Sequence, residues 1–158
     1  MKTVLILRHA KSSWNDPLLS DHDRPLNKRG KRDAPYIGEF LKRRQLVPDL
    51  ILSSTAKRAR KTAQAVAKAS GYDGKVEMIT SFYHSEPKTY ISQLADLPDI
   101  YQRVMVVGHN PTLEMLVTQL TNCFETMPTA AVAYVQLPIE NWRKLADSIT
   151  AGSIQGQL

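Results

Sequence analysis

A single cysteine, Cys123, excludes an internal disulfide, and with no Cys or His at ligand spacing around it this residue offers no metal site. Its expected place is structural, following the usual burial of free cysteine. Long apolar runs are also missing. Ahead of Arg8 the chain has only Val4-Leu5-Ile6-Leu7, too short for a signal-peptide core and far too short to span a bilayer. The expectation is therefore a soluble, cytoplasmic protein with no membrane partner. Aromatic residues make up only 7% of the chain, and the basic clusters lack the interleaved aromatics that would stack on bases. No helix-turn-helix, zinc-finger or RNA-binding signature is present, so no nucleic acid partner is expected. Repeats and low-complexity segments are absent as well.

What is there is a chain of 158 residues, 42% apolar, enough for one core of ordinary size. A single domain over residues 1–158 is expected. Lysine and arginine outnumber acidic residues by 21 to 15, giving a formal charge of +6. The excess is concentrated at Lys28, Arg29, Lys31 and Arg32, at Lys42 to Arg44, and at Lys57, Arg58, Arg60 and Lys61. Such a surplus attracts anions, and a phosphorylated protein or a small phosphoester fits it.

Residues 3 to 8 read as a buried strand. Lys11 to Asn27 is rich in Ser, Asn, Asp and Pro and reads as a long loop, a feature that is usually functional in a compact domain. Asn27 is a candidate cap for a helix to about Arg44, with Ala34, Ile37, Phe40 and Leu41 at helical spacing. Pro35 would fall inside it, which moves the expected start toward Asp33. A second strand over Pro48 to Leu52 precedes a helix from Ala56 to about Ser70, with Ser53, Ser54 and Thr55 as cap candidates and Gly71 as its end. Val76 to Ile79 is a third strand, Glu86 to Leu97 a helix, and Arg103 to Val107 a fourth strand. Pro111 opens a further helix carrying Leu113, Leu116, Val117 and Leu120. Ala131 to Leu137 reads as a fifth strand, at an edge or antiparallel, and Trp142 stands near a polar tail. This alternation predicts a three-layer α/β/α sandwich with a mostly parallel central sheet.

Chemistry concentrates at two strand ends. Arg8-His9 follows the first strand and Val107-Gly108-His109-Asn110 ends the fourth, and ligands of open parallel sheets bind outside the carboxyl ends of strands. Arg58 falls in the first turn of the helix after the second strand, where backbone N–H groups and the helix dipole favour an anion. Two histidines and two arginines on one sheet edge concentrate positive charge that an anion would offset. Asn15 in the first loop is a further candidate donor. Arg24 is a candidate either to orient that loop or to reach a substrate. His22, between Asp21 and Asp23, reads as a loop residue rather than a metal ligand.

These residues resemble a known family. Arg8-His9 with Lys11-Ser12-Ser13-Trp14-Asn15, the Asp23-to-Gly30 segment, Ser53-to-Ala59 with Thr62-Ala63, and Val107-to-Pro111 are together similar to the histidine phosphatase superfamily. Within it they are most similar to the short SixA-like phosphohistidine phosphatases, over roughly residues 3 to 145. The resemblance implies a phosphoglycerate mutase-like fold and a metal-independent, cofactor-free phosphatase. His9 would be the nucleophile, passing through a covalent phosphohistidine. Arg8, Arg58 and His109 would bind the phosphoryl oxygens, and Asn15 matches a phosphate-contacting asparagine of the related mutases. The usual Arg-His-Gly is Arg-His-Ala here, as in the SixA-like branch. The general acid, normally a carboxylate after the third strand, has Glu86 as its nearest match and His84 as a second candidate.

A weak acid bears on substrate. Expelling an alkoxide needs an enzyme proton, commonly a factor of about 10² to 10⁴ in rate, whereas a leaving imidazole with a pKa of about 6.5 is readily protonated by water. The expected substrate is accordingly a phosphohistidine protein. The alternatives are a phosphomonoesterase for a small metabolite using the same pocket, or a phosphate- or phosphoprotein-binding module without turnover. The sequence does not set the oligomeric state.

Overall fold

In the computed structural model, which describes residues 1–150 and 156, the strands are β1 (Lys2–Arg8), β2 (Leu50–Ser54), β3 (Glu77–Ile79), β4 (Arg103–Gly108) and β5 (Val132–Leu137). The helices are α1 (Lys28–Arg43), α2 (Lys57–Ser70), α3 (Pro87–Ala95), α4 (Thr112–Thr121) and α5 (Lys144–Thr150). The strands form one sheet in the order β3-β2-β4-β1-β5, parallel throughout except for β5, which runs antiparallel to β1 at one edge.

The pleat divides the apolar run of β1 between two layers. Val4 and Ile6 pack with Val104 and Val106 of β4 beneath Leu94 of α3, Leu116 and Val117 of α4 and Leu145 of α5. Leu5 and Leu7 join Met105 and Val107 on the opposite face, under Leu41 of α1 and Ala59, Ala63 and Val66 of α2. With both faces covered, β1 and β4 have no solvent side to mark with polar residues, so they read as continuous apolar runs. Each Val or Leu buried in this way contributes roughly 1.5 to 3 kcal/mol.

The same connectivity creates the crevice. β1 leads into the α1 and α2 layer, whereas its neighbour β4 leads into α4 on the other face, so the chain leaves two adjacent strand ends in opposite directions. The expected three-layer architecture is thus present, and no helix among the described residues is long and apolar enough to cross a membrane.

Several expectations need correction. α1 starts at Lys28 rather than near Asp33, leaving Pro35 inside the helix without an N–H to give its preceding turn. That first turn survives because Asn27 Oδ1 accepts from the Gly30 N–H at 2.9 Å, while the Asn27 N–H donates to the Lys11 carbonyl at 2.9 Å. The N-cap of α2 is Ala56, not one of the preceding hydroxyl residues; Ser54 Oγ instead accepts from the Ala56 N–H at 3.3 Å. Pro111 caps α4 rather than opening it. Helix α5 was not legible in the polar tail. Cys123 is exposed, not buried, because it follows the left-handed residue Asn122 that turns the chain out of α4.

The loop from Lys11 to Asn27 is also less irregular than its composition. Ser12 bridges to Leu26, the Ser13 N–H donates to the Pro25 carbonyl at 2.8 Å, and Asp21–Asp23 forms a 3-10 turn at its tip.

Candidate active site

His9 is the first residue beyond β1. Its N–H donates to the Gly108 carbonyl at 3.1 Å and its carbonyl accepts from the Ala130 N–H at 3.2 Å, so the parallel pairing of β1 with β4 fixes its backbone. Its side chain is buried. The ring Nδ1 lies 2.8 Å from the Ala10 carbonyl. A carbonyl only accepts, so Nδ1 carries the proton and Nε2 keeps its lone pair.

Across the crevice, His109 follows Gly108 at the end of β4, and the two imidazole centroids are 5.2 Å apart. His109 Nε2 is 2.8 Å from Ser54 Oγ at the end of β2, while its Nδ1 is buried and has no hydrogen-bond partner among the described residues. Gly108 is required by packing: a Cβ there would overlap the hydroxyl of Tyr90, a fully buried side chain beneath the site.

Arg58 occupies the first turn of α2 and is buried. Thr62, one turn on, fixes this turn against the nucleophile's neighbour. Its hydroxyl donates to the Arg58 carbonyl at 2.7 Å and accepts from the Ala10 N–H at 3.0 Å. Arg8 is half-buried, and its Nη1 donates to the Met127 carbonyl at 2.9 Å. Asn110 donates to the same carbonyl at 2.8 Å and to Glu114, whose carboxylate accepts from the Met127 N–H at 2.9 Å. This small network pins the segment after α4 to the end of β1. The Nε atoms of both Arg8 and Arg58 are buried without a partner among the described residues.

The electrostatics follow from this crowding. Burial pushes the His9 imidazole down to about 4, with the Arg58, Arg8 and Arg24 charges acting in the same direction against the Ala10 hydrogen bond. Burial, His9 and Arg58 push His109 down to about 3. Both rings are neutral at pH 7. The arginines then carry the positive charge and the histidines supply lone pairs and N–H groups. Among the described residues no group of three or more His, Cys, Asp or Glu is placed to hold a metal ion.

The structure therefore brings together His9, His109, Arg8 and Arg58. Beside His109 and Arg58 opens a cavity of about 340 Å³, whose rim includes Tyr83, His84, Glu86 and Met115. Both acid candidates lie on this rim, Glu86 exposed at the N-cap of α3 and ion-paired with Lys88 at 3.1 Å. Asn15 is exposed and hydrogen-bonds through its own N–H to Ser13 Oγ at 3.1 Å; no side-chain bond joins it to the four among the described residues. Arg24 is buried behind them, donating to Ser12 Oγ at 2.8 Å and to Asp21 Oδ1 at 3.1 Å. His22 lies in the 3-10 turn, with its Nε2 3.0 Å from Thr55 Oγ1 and its ring edge-on to Tyr83.

Sequence reading missed Asp21 and Tyr83. Asp21 accepts from Arg58, Arg24 and Tyr83 at once, with Tyr83 Oη 2.7 Å from its Oδ2. The only local signal was the spacing of Asp21 and Arg24, three residues apart in a loop.

Comparison with known proteins bears on family and fold. Residues 4–81 match the model of the histidine phosphatase superfamily, branch 1. An uncharacterised chloroplastic protein of Arabidopsis thaliana is 34% identical over 153 residues, covering 90% of this chain and 70% of that protein. The crystal structure of an Agrobacterium tumefaciens protein provisionally named phosphohistidine phosphatase SixA superposes with a TM-score of 0.77 at 36% identity, covering 85% of this chain and 91% of that one. The protein histidine phosphatase SixA complexed with tungstate has a TM-score of 0.82 over 99% of this chain and 94% of its own, and at 21% identity it speaks for the fold. The chain is a member of the histidine phosphatase superfamily, with the phosphoglycerate mutase-like α/β fold.

Proposed function

We propose that this protein removes phosphate from phosphohistidine in another protein, through a covalent phosphohistidine on His9 and without a metal ion. The observation that carries the reading is the Ala10 carbonyl 2.8 Å from His9 Nδ1, which leaves a neutral imidazole with its Nε2 lone pair free beside two arginines. In the first step His9 Nε2 bonds to phosphorus as the substrate's P–N bond breaks in line, and the departing imidazole nitrogen takes a proton. Water then attacks phosphorus, the bond to Nε2 breaks, and phosphate leaves with His9 neutral again. Arg8, Arg58 and His109 hold the equatorial oxygens, where positioned positive charge and hydrogen-bond donors stabilise the transition state most.

The choice of a phosphoramidate over an ester rests on the acid. Glu86 is exposed and paired with Lys88, and among the described residues no hydrogen bond holds it toward His9. Such a group protonates an alkoxide poorly, whereas imidazole leaves with a proton from water, Glu86 or His84. A phosphohistidine borne by a protein reaches the site at the strand-end crevice, and the resemblance to the Agrobacterium tumefaciens protein that bears the SixA name supports this reading.

Steady-state rates on a phosphohistidine protein and on a simple phosphomonoester test the proposal. A higher kcat/KM on the phosphohistidine protein is expected. A large preference for the ester overturns the substrate, and binding without phosphate release from either overturns the enzyme.

A further inference from the structure

We propose that Asp21 is a positioning residue for Arg58: it grips the outer end of the guanidinium so that the edge bearing Nε is held toward the phosphoryl group. This rests on the phosphatase reading above, and it assigns a part to a loop residue outside the four that meet at the strand ends.

Arg58 Nη1 donates to the Asp21 carbonyl at 2.7 Å and Nη2 to Asp21 Oδ2 at 3.0 Å, so backbone and carboxylate of one residue take both terminal nitrogens. The buried Nε has no partner among the described residues. A guanidinium is a rigid planar fork, and with one edge fixed the direction of the other is set. A long arginine side chain would otherwise lose rotamer freedom each time it met a ligand.

Asp21 is itself held from three sides. Tyr83 Oη donates to Oδ2 at 2.7 Å, Arg24 Nε donates to Oδ1 at 3.1 Å, and the 3-10 turn fixes its backbone. Arg24 is anchored in turn to Ser12 Oγ and to the Ser13 carbonyl, and its guanidinium stacks 3.4 Å from the centroid of Trp14. The Tyr83 hydrogen bond, Arg58 and Arg24 hold the Asp21 carboxyl far below the ordinary carboxylate range. It is therefore an anion throughout the neutral range and cannot act as the acid for the leaving group. A carboxylate that only neutralised Arg58 would weaken phosphate binding; one that aims it strengthens binding, and the two roles predict opposite signs for Asp21→Asn.

The test is a double-mutant cycle with Asp21→Asn and Arg58→Lys on the full chain, read both by turnover of a phosphohistidine protein and by tungstate binding in calorimetry. Asp21→Asn alone is expected to weaken tungstate binding about five- to tenfold and to lower kcat/KM ten- to a hundredfold. In the Arg58→Lys background, which has no fork to aim, it is expected to change either by less than about twofold. Equal losses in both backgrounds mean that Asp21 supports the fold and not Arg58, and tighter tungstate binding by Asp21→Asn means that it is a competing anion; either result overturns the proposal. Should Asp21→Asn fail to fold, Tyr83→Phe, which frees one side of the carboxylate, is expected to weaken tungstate binding about two- to threefold, and an unchanged affinity overturns the proposal. If the unmutated protein binds tungstate but releases no phosphate, the phosphatase reading fails while the binding cycle still decides the role of Asp21.

Discussion

His9 and His109 face each other with ring centroids 5.2 Å apart at a tilt of 51°, each delivered by the end of a parallel strand, β1 and β4, that are neighbours in the sheet. Two imidazoles this close, with Arg8 and Arg58 nearby, cannot both be charged at low cost, and the crevice keeps them neutral.

The first prediction concerns pH. The folded pKa of His9, about 4, lies below the unfolded value of about 6.5, so on acidification the unfolded chain binds the proton first. Stability is full above about pH 6.5 and declines toward pH 4, on the order of 3 kcal/mol from His9 alone. His109 acts in the same direction, and the two rings titrate as a pair. Urea unfolding between pH 4 and 7 is expected to show this decline, with nitrogen-15 spectra of His9 still neutral at pH 5.5. A His9 titration near pH 6.5 would refute the electrostatic picture of the site.

Arg58→Ala is expected to lower kcat/KM by about 10² to 10³, the usual loss on deleting one positioned transition-state donor. Arg58 sits at the start of α2 with its Nε unpaired among the described residues, so its removal takes away charge and direction together. Arg58→Lys should recover charge alone and remain at least tenfold impaired. Full activity in Arg58→Lys would show that the fork is not used.

Thr62 joins α2 to the residue after the nucleophile. Thr62→Val removes the acceptor for the buried Ala10 N–H and is expected to destabilise the protein by about 1 to 3 kcal/mol in chemical denaturation. Thr62→Ser, which keeps the hydroxyl, should stay near the parent. If both substitutions cost the same, the hydroxyl is not the reason.

Gly108 and Tyr90 make a paired test. Gly108→Ala forces a Cβ onto the Tyr90 hydroxyl, an overpacking expected to cost about 1 to 3 kcal/mol, and a shift of His109 should lower activity as well. Tyr90→Phe removes the offending oxygen, so Tyr90→Phe with Gly108→Ala should be more stable than Gly108→Ala alone. Additive losses would place the clash elsewhere.

How much of this was legible in the sequence depended on distance along the chain. Arg8, His9 and His109 could be read because each directly ends an apolar run, and Arg58 because it follows one by a few residues. Local periodicity carries that information. Asp21 could not be read in the same way, since its partner Arg58 lies on another element and nothing near Asp21 marks the pairing. The start of α1 was misplaced for a related reason: Pro35 is locally unfavourable, and the Lys11 and Asn27 contacts that sustain the first turn come from the loop before it. Cys123 shows the limit of residue habit, because a chain reversal at Asn122 outweighs the preference of a thiol for the interior.

Chelators and vanadate address the chemistry without mutation. With arginine and histidine supplying the positive charge and the donors, EDTA is expected to leave the rate unchanged. Vanadate, which adopts the five-coordinate geometry of phosphorus in transfer, is expected to inhibit. Loss of activity on chelation that zinc or magnesium restores would contradict the metal-independent mechanism.

The most direct measurement is to quench the reaction with phosphorus-32-labelled substrate and identify the labelled residue. An acid-labile, base-stable phosphoenzyme on His9 is expected, absent in His9→Ala and formed far more slowly in His109→Ala. Label on a serine or an aspartate, or turnover by His9→Ala at the parent rate, would contradict it.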